Sequence, residues 1–267
     1  MIKYLEVDSQ LKPDIELNLT RLGRDHDGGY IVPNVCLQTS QYLLAGGYGN
    51  DFSFERAFLS LSSSNEVHLY DYSISSPTLF KSLIKGLLKK LLGRPDYGLR
   101  YHLRNSFQFF KLKTSSIVYF HSKLESDSVN QGVDIPGAIR GFRSPLIANS
   151  VFCKLDIEGS EYELIDGISE SSSFISGLVI EFHDLENRYE QLVNALSKLR
   201  RDFFLVHNHP NNYAGVGENG IPRVLEITFV SKDLCANQGK PYVAESSILD
   251  IDQQNDPSSE NLVLKFR

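Results

Sequence analysis

Three short strings bring carboxylates and imidazoles to spacings that suit chemistry. KLDIEGSE carries Lys154, Asp156 and Glu158, IEFHD carries Glu181 and His183, and VHNHPNN carries His207, His209, Asn211 and Asn212. In each string the first reactive residues stand two apart, so an extended strand would place them on one face. A carboxylate with two imidazoles can hold a divalent cation such as Mg²⁺, Mn²⁺ or Fe²⁺ and leave positions open for substrate oxygens. Without a metal, His183 can act as a general base oriented by Asp156. Lys154 reads either as a further base or as a structural strand lysine.

Such residues need strands that end at a common edge. At 151–158, Val151, Cys153, Leu155 and Ile157 alternate with Phe152, Lys154, Asp156 and Glu158, the pattern of a buried strand with polar groups at its end. Gly159 breaks the strand, and Ser160 with Glu163 forms a capping-box signature that predicts a helix stopping near Gly167. Upstream, QYLLAGGYGND reads as a first strand and a glycine turn, with FSFERAFLSL as the helix that follows. The second strand, EVHLYDY, places Asp71 about 20 residues beyond that turn, where an acid can accept hydrogen bonds from ribose hydroxyls. SSIVYFH is a third strand ending at His121. GLVIEFH, FFLVH and VLEITFV are further strands, with a helix at 185–201 and a long loop at 208–223.

The string KLDIEGSEYELIDG resembles the signature of FkbM-type methyltransferases, whose D-x-E-G-x-E pattern falls on Asp156, Glu158, Gly159 and Glu161. The resemblance implies a Rossmann-like class I methyltransferase fold. That is an α/β fold with a mostly parallel central sheet, an antiparallel final strand and helices on both faces. It implies S-adenosylmethionine as cofactor, bound by Gly46, Gly47, Gly49, Asn50, Glu55, Asp71, Tyr72, His121 and Asp156. If the strands ending at Asp156, His183 and His207 lie side by side, as that layout implies, Asp156, Glu181, His183, His207 and His209 converge as metal ligands. A DGGY segment recurs in some members, so Asp27 and Tyr30 join Glu158, Asn211 and Asn212 as substrate-binding candidates. The implied reaction is methylation of a hydroxyl on a sugar, either a nucleotide-sugar or a surface glycan, assisted by the metal; the alternative is a metal-independent methyltransferase with His183 as general base, acting on another natural product. A nicotinamide-dependent oxidoreductase would share the glycine turn and Asp71, and a silent glycan-binding module would share the fold.

With 267 residues, 41% of them apolar, the chain suits one α/β domain, with an N-terminal segment at 1–41 and a C-terminal tail at 236–267 expected to lie extended over the surface. The net charge of −6 argues against a nucleic-acid platform. The stretch 79–113 is locally basic, with Lys81, Lys85 and Lys89 beside a leucine-rich face. It reads as an amphipathic helix, either packing its leucines with solvated lysines or meeting an anionic partner such as a membrane surface. No apolar run suits a bilayer span or a signal segment, and a soluble, cytoplasmic protein is expected. Cys36, Cys153 and Cys235 are too widely spaced for a thiolate zinc site.

Overall fold

The computed structural model describes residues 2–47, 49, 51–63, 66–73, 84, 103, 107, 110–111, 117–126, 132–143, 145–236 and 239–267. The basic stretch at 79–113 lies outside the described residues apart from five isolated positions, and so does Asn50. No helix among the described residues is long and apolar enough to cross a membrane.

In chain order the strands are β1 (Ile2–Val7), β2 (Ile15–Glu16), β3 (Leu19–Gly23), β4 (Gly29–Pro33), β5 (Tyr42–Gly46), β6 (Glu66–Tyr70), β7 (Ile117–Phe120), β8 (Val151–Leu155), β9 (Ile175–Phe182), β10 (Phe203–Pro210), β11 (Leu225–Ser231), β12 (Lys240–Pro241) and β13 (Asn261–Phe266). Among the described residues, seven of them form a central sheet in the order β10-β11-β9-β8-β5-β6-β7. The pairs β5/β6, β5/β8, β6/β7 and β8/β9 are parallel, whereas β11 runs antiparallel between β9 and β10. The result is a Rossmann-like sheet, mostly parallel, with one antiparallel strand.

Period-two alternation sends side chains into two apolar layers. Leu44, Cys153, Leu155 and Ile180 meet the helices Ile135–Arg140, Ile165–Glu170 and Leu185–Leu199 on one face. Leu43, Ala45, Phe152 and Val179 meet the helices Asn34–Thr39 and Ser53–Leu61 and the β3/β4 hairpin on the other. With both faces covered, β5, β8, β9 and β11 are buried along their whole length. Lys154 and Asp156 follow Phe152 in the alternation and so emerge on the second face, beside Phe54 and Tyr30. There Phe58 stacks on Phe152 at 5.3 Å.

Three expectations change. Strand FFLVH is not beside GLVIEFH, because β11 inserts between them. β10 continues to Pro210 and shortens the predicted loop. Only the end of the tail enters the core: β13 pairs in parallel with β1 and buries Leu262, Val263 and Leu264, whereas most of 239–254 is exposed or half-buried, as expected of a segment lying over the surface.

Strand order reverses between β5 and β8, and ligands of open parallel sheets bind outside the strand ends at such a point. Here the two chain segments nearly touch. Asp156 N donates to Gly46 O at 3.1 Å, and Gly47, at φ 84°, leaves no room for a Cβ, which would overlap the carbonyl oxygen of Asp156. Gly47→Ala should therefore cost at least about 2 kcal/mol, from left-handed strain and overlap together. Urea unfolding of that variant is the check, and wild-type stability would show that the two segments are not in contact.

Candidate active site

Beyond β8 the chain turns back through two left-handed residues, Glu158 at φ 57° and Gly159 at φ 103°. A left-handed non-glycine residue costs on the order of 1 kcal/mol, so something must hold Glu158 in place. That role falls to Glu161. Its carboxylate is fully buried, and Oε1 accepts from Ile157 N at 3.2 Å and Gly159 N at 3.0 Å. The Arg188 guanidinium donates to Gly159 O at 2.6 Å from outside the turn. The predicted capping box does not form, because Ser160 makes no side-chain cap. A short 3-10 turn, Glu161–Leu164, leads instead into Ile165–Glu170, past Gly167.

The same Glu161 oxygen lies 3.0 Å from His183 Nδ1, just beyond β9. Nδ1 also lies 3.1 Å from the carbonyl of Glu181. Both neighbours are acceptors, so Nδ1 carries the proton and Nε2 is turned to Glu158, whose Oε2 is 3.6 Å away. Burial opposes the imidazolium form, but the Glu161 hydrogen bond and the charges of Glu161, Glu181 and Asp156 outweigh it and push His183 up to about 9. Asp156, Glu158 and His183 can each offer one ligand atom with all three atoms within 4.8 Å of one another. Two carboxylates and an imidazole, the latter oriented by a third carboxylate, Glu161, through its other nitrogen, form a donor set that fits a divalent cation.

Beneath this triad lies a buried polar layer. Tyr30 Oη is 2.8 Å from Asp156 Oδ2 and 2.9 Å from Glu181 Oε2, and Asn211 Nδ2 donates to Glu181 Oε1 at 2.9 Å. Lys154 Nζ donates to Gly47 O at 3.0 Å and lies 3.5 Å from Asp156. Its burial works against its charge, yet Asp156, Glu55 and Glu181 together raise its pKa. Lys154 is therefore a held cation and not a resting base. Burial, then the charge of Asp156, raise the carboxyl of Glu181.

Two cavities open on this edge. One, of about 480 Å³, is lined by Tyr30, Glu55, Lys154, Glu181, His183 and Asn211 among others. The second, of about 150 Å³, is lined by Gly47, Asp71, Tyr72, Ser122 and Leu124 among others. Gly49, Asp156 and Glu158 line both, so the two carboxylates of the triad stand on the boundary between them, with His183 on the side of the larger cavity. Asp71 follows β6, with Oδ1 accepting from Ser73 N at 2.7 Å and Ser73 Oγ at 2.6 Å.

The sequence-predicted residues therefore divide. Gly47, Gly49, Asp71, Tyr72 and Asp156 border the second cavity, and Asp27, Tyr30, Glu158 and Asn211 border the first. Gly46 sits behind them in the strand. Glu55 lines the first cavity and not the second. His121 is exposed, and Ser122 to Leu124 form the wall in its place, because β7 ends at Phe120. Asn212 braces the tail, donating to Asp256 O at 2.8 Å and Glu260 O at 3.1 Å. Glu181 is absent from the triad, its oxygens being taken by Tyr30 and Asn211.

His207 and His209 do not reach the triad. Glu181, Glu226 and His209 are register partners across β9, β11 and β10, and two strand spacings separate His209 from Glu181 by about 10 Å. His207 Nε2 instead meets Asp252 at 2.8 Å, and His209 Nε2 meets Asn255 at 3.2 Å. Sequence reasoning assigned no role to Glu161, Arg24 or Asp51. The signal for Glu161 was present in the D-x-E-G-x-E string, but its inward direction depends on the left-handed turn.

Burial lowers His209 to about 4, with the charge of Asp252 pulling the other way. An unfolded histidine titrates near 6.5. The stabilisation from neutral His209 is thus complete above about pH 6.5 and is lost as pH falls toward 4. Urea midpoints measured from pH 7 to 4 should fall more steeply in the wild type than in His209→Gln. Parallel curves would remove His209 from the acid transition.

No protein-family model matches the chain, and no curated protein sequence matches it. Among solved structures it is similar to fibrillarin, a pre-rRNA processing protein of Methanococcus jannaschii, at 7% identity over 75% of this chain and 70% of that one, with a TM-score of 0.40. It is similar to an rRNA methylase of Streptococcus thermophilus at 13% identity over 74% and 92% of the chains, with a TM-score of 0.37. An O-methyltransferase from neocarzinostatin biosynthesis, in complex with S-adenosylmethionine and 2-hydroxy-5-methyl naphthoic acid, matches at 8% identity over 75% and 50%, with a TM-score of 0.32. Identities and scores this low say nothing about reaction or substrate.

Proposed function

We propose that the chain is an S-adenosylmethionine-dependent O-methyltransferase that acts on a hydroxyl of a sugar. The observation that carries this reading is the pair of cavities divided by Asp156 and Glu158 at the switch point of the sheet. A group-transfer enzyme needs a donor site and an acceptor site that meet at one boundary, and the reacting atoms must be held in line across it. The resemblance of the Asp156–Glu161 string to FkbM-type methyltransferases supports the same assignment.

In this reading the second cavity takes the cofactor, which supplies the electrophilic methyl group. Asp71, 8% exposed at the end of β6, accepts from the ribose hydroxyls, and the Gly47 turn lets the backbone approach closely. The first cavity takes the acceptor. Asp156, Glu158 and His183 would hold a divalent cation such as Mn²⁺, which when bound polarises the acceptor hydroxyl and lowers its pKa. Glu161 keeps the Nδ1 proton in place, so that Nε2 is the nitrogen offered to the cavity. Lys154 fixes the Gly47 and Asp156 segments against each other. The Glu161–His183 hydrogen bond also favours a second reading, in which His183, with no metal, is oriented as a general base that acts once its imidazole is neutral, toward pH 9 and above.

Calorimetric titration with S-adenosylhomocysteine should show micromolar binding that weakens on the order of ten- to a hundredfold in Asp71→Ala, the loss expected when hydrogen bonds to a charged group are removed. No binding, or binding of NADH instead, would contradict the methyltransferase reading, and glycan binding without cofactor affinity would point to a silent binding module. Electron paramagnetic resonance of added Mn²⁺ distinguishes the two mechanisms. The metal reading expects binding in the wild type and its loss in Glu158→Gly. That variant should fold at least as well as the wild type, because glycine relieves the left-handed strain at 158. Full turnover after EDTA treatment would favour the general-base reading.

A further inference from the structure

Glu55 stands in the first turn of its helix and its charge supports Lys154, but it makes no hydrogen bond that would anchor its side chain among the described residues. It lies on the helix Ser53–Leu61 at 1% exposure, it lines the larger cavity, and neither carboxylate oxygen has a hydrogen-bond partner among the described residues. A buried carboxylate without partners is expensive to keep. Burial pushes this carboxyl up to about 7, with Lys154 drawing it back down. Its surroundings are acidic, since Asp27, Asp51, Asp156, Glu158 and Glu181 line the same cavity.

Three cationic groups line the cavity among the described residues, Arg24, Lys154 and His183, and each is engaged, His183 by Glu161. The Arg24 guanidinium lies 2.9 Å from Asp27 and 3.4 Å from Asp51. Lys154 is held by Gly47 O and Asp156. Arg24 answers Asp27 and Asp51, Tyr30 and Asn211 occupy the oxygens of Glu181, and a divalent cation on the triad would answer Asp156 and Glu158, which leaves Glu55 as the carboxylate facing the acceptor without a partner among the described residues. A phosphate entering here meets a surplus of carboxylates, whereas hydroxyl or ammonium donors meet the two unfilled oxygens of Glu55.

We infer that the cavity takes a polyhydroxylated acceptor that brings hydrogen-bond donors and no anionic group, with Glu55 accepting from its hydroxyl or amino substituents. This deepens the methyl-transfer reading and rests on the cavity being the acceptor site. It separates phosphate-free sugars, whether neutral or amino-bearing, from nucleotide-sugars and sugar phosphates.

The test titrates three matched sets of common hexopyranosides into the full chain, with and without saturating S-adenosylhomocysteine, by saturation-transfer NMR. The sets are methyl glycosides, 2-amino methyl glycosides and hexose 1-phosphates. Members of the first two sets should bind, and each 1-phosphate should bind at least about tenfold more weakly than its methyl glycoside. Glu55→Gln, with its fold verified by circular dichroism, should weaken the amino sugars about tenfold while keeping shape and volume. Equal or tighter binding of the phosphates, binding of no phosphate-free member, or unchanged affinity in Glu55→Gln would overturn the inference. Failure of S-adenosylhomocysteine to bind would instead count against the methyl-transfer reading, and the sugar titrations without it would still decide the cavity's preference.

Discussion

One buried carboxylate oxygen, Glu161 Oε1, organises the catalytic edge. Two backbone amides and an imidazole nitrogen converge on it at 3.0 to 3.2 Å. The amides belong to a turn whose left-handed residues would otherwise relax, and the imidazole belongs to the end of a different strand. Hydrogen bonds to a charged acceptor are stronger than neutral ones, and burial keeps water from competing for this one. By meeting both segments, Glu161 fixes the Glu158 carboxylate beside His183 Nε2. If that oxygen were lost, the turn and the histidine would come apart together.

Around this point the fold supplies contrast. On one side of the β5/β8 boundary, glycine backbone and Asp71 border a small cavity whose other acids, Asp156 and Glu158, are those of the boundary itself. On the other, the helix Ser53–Leu61, the β3/β4 hairpin and the end of β9 surround a larger cavity with carboxylates. Lys154 is the buried cation that makes so much negative charge tolerable. A buried charge stripped of its partner typically costs about 3–5 kcal/mol. The polar site is therefore part of the core's energetics and not an addition to its surface.

Much of this was legible in the sequence. The alternation at 151–158, the break at Gly159 and the acid at Asp71 follow from strand period and glycine freedom, which are local properties. The capping signature at Ser160 and Glu163 misled, because the acid that matters is Glu161. Only the direction of a left-handed turn decides which of the two faces inward. The histidines at 207 and 209 misled for a nonlocal reason. Their partners, Asp252 and Asn255, lie 45 and 46 residues further along the chain, and the strand that separates them from Glu181 follows them in sequence. The acidic wall of the larger cavity draws on residues from 27 to 181, and no motif joins them.

The central claim is that Asp156 and Glu158 divide a cofactor site from an acceptor site. A crystal structure of the protein soaked with S-adenosylhomocysteine tests it most directly. The expected result is density in the smaller cavity, with ribose hydroxyls at Asp71 and the sulfur directed toward the Asp156–Glu158 boundary. Density seated instead against Glu55 in the larger cavity, or none at this sheet edge at full soak, would contradict it.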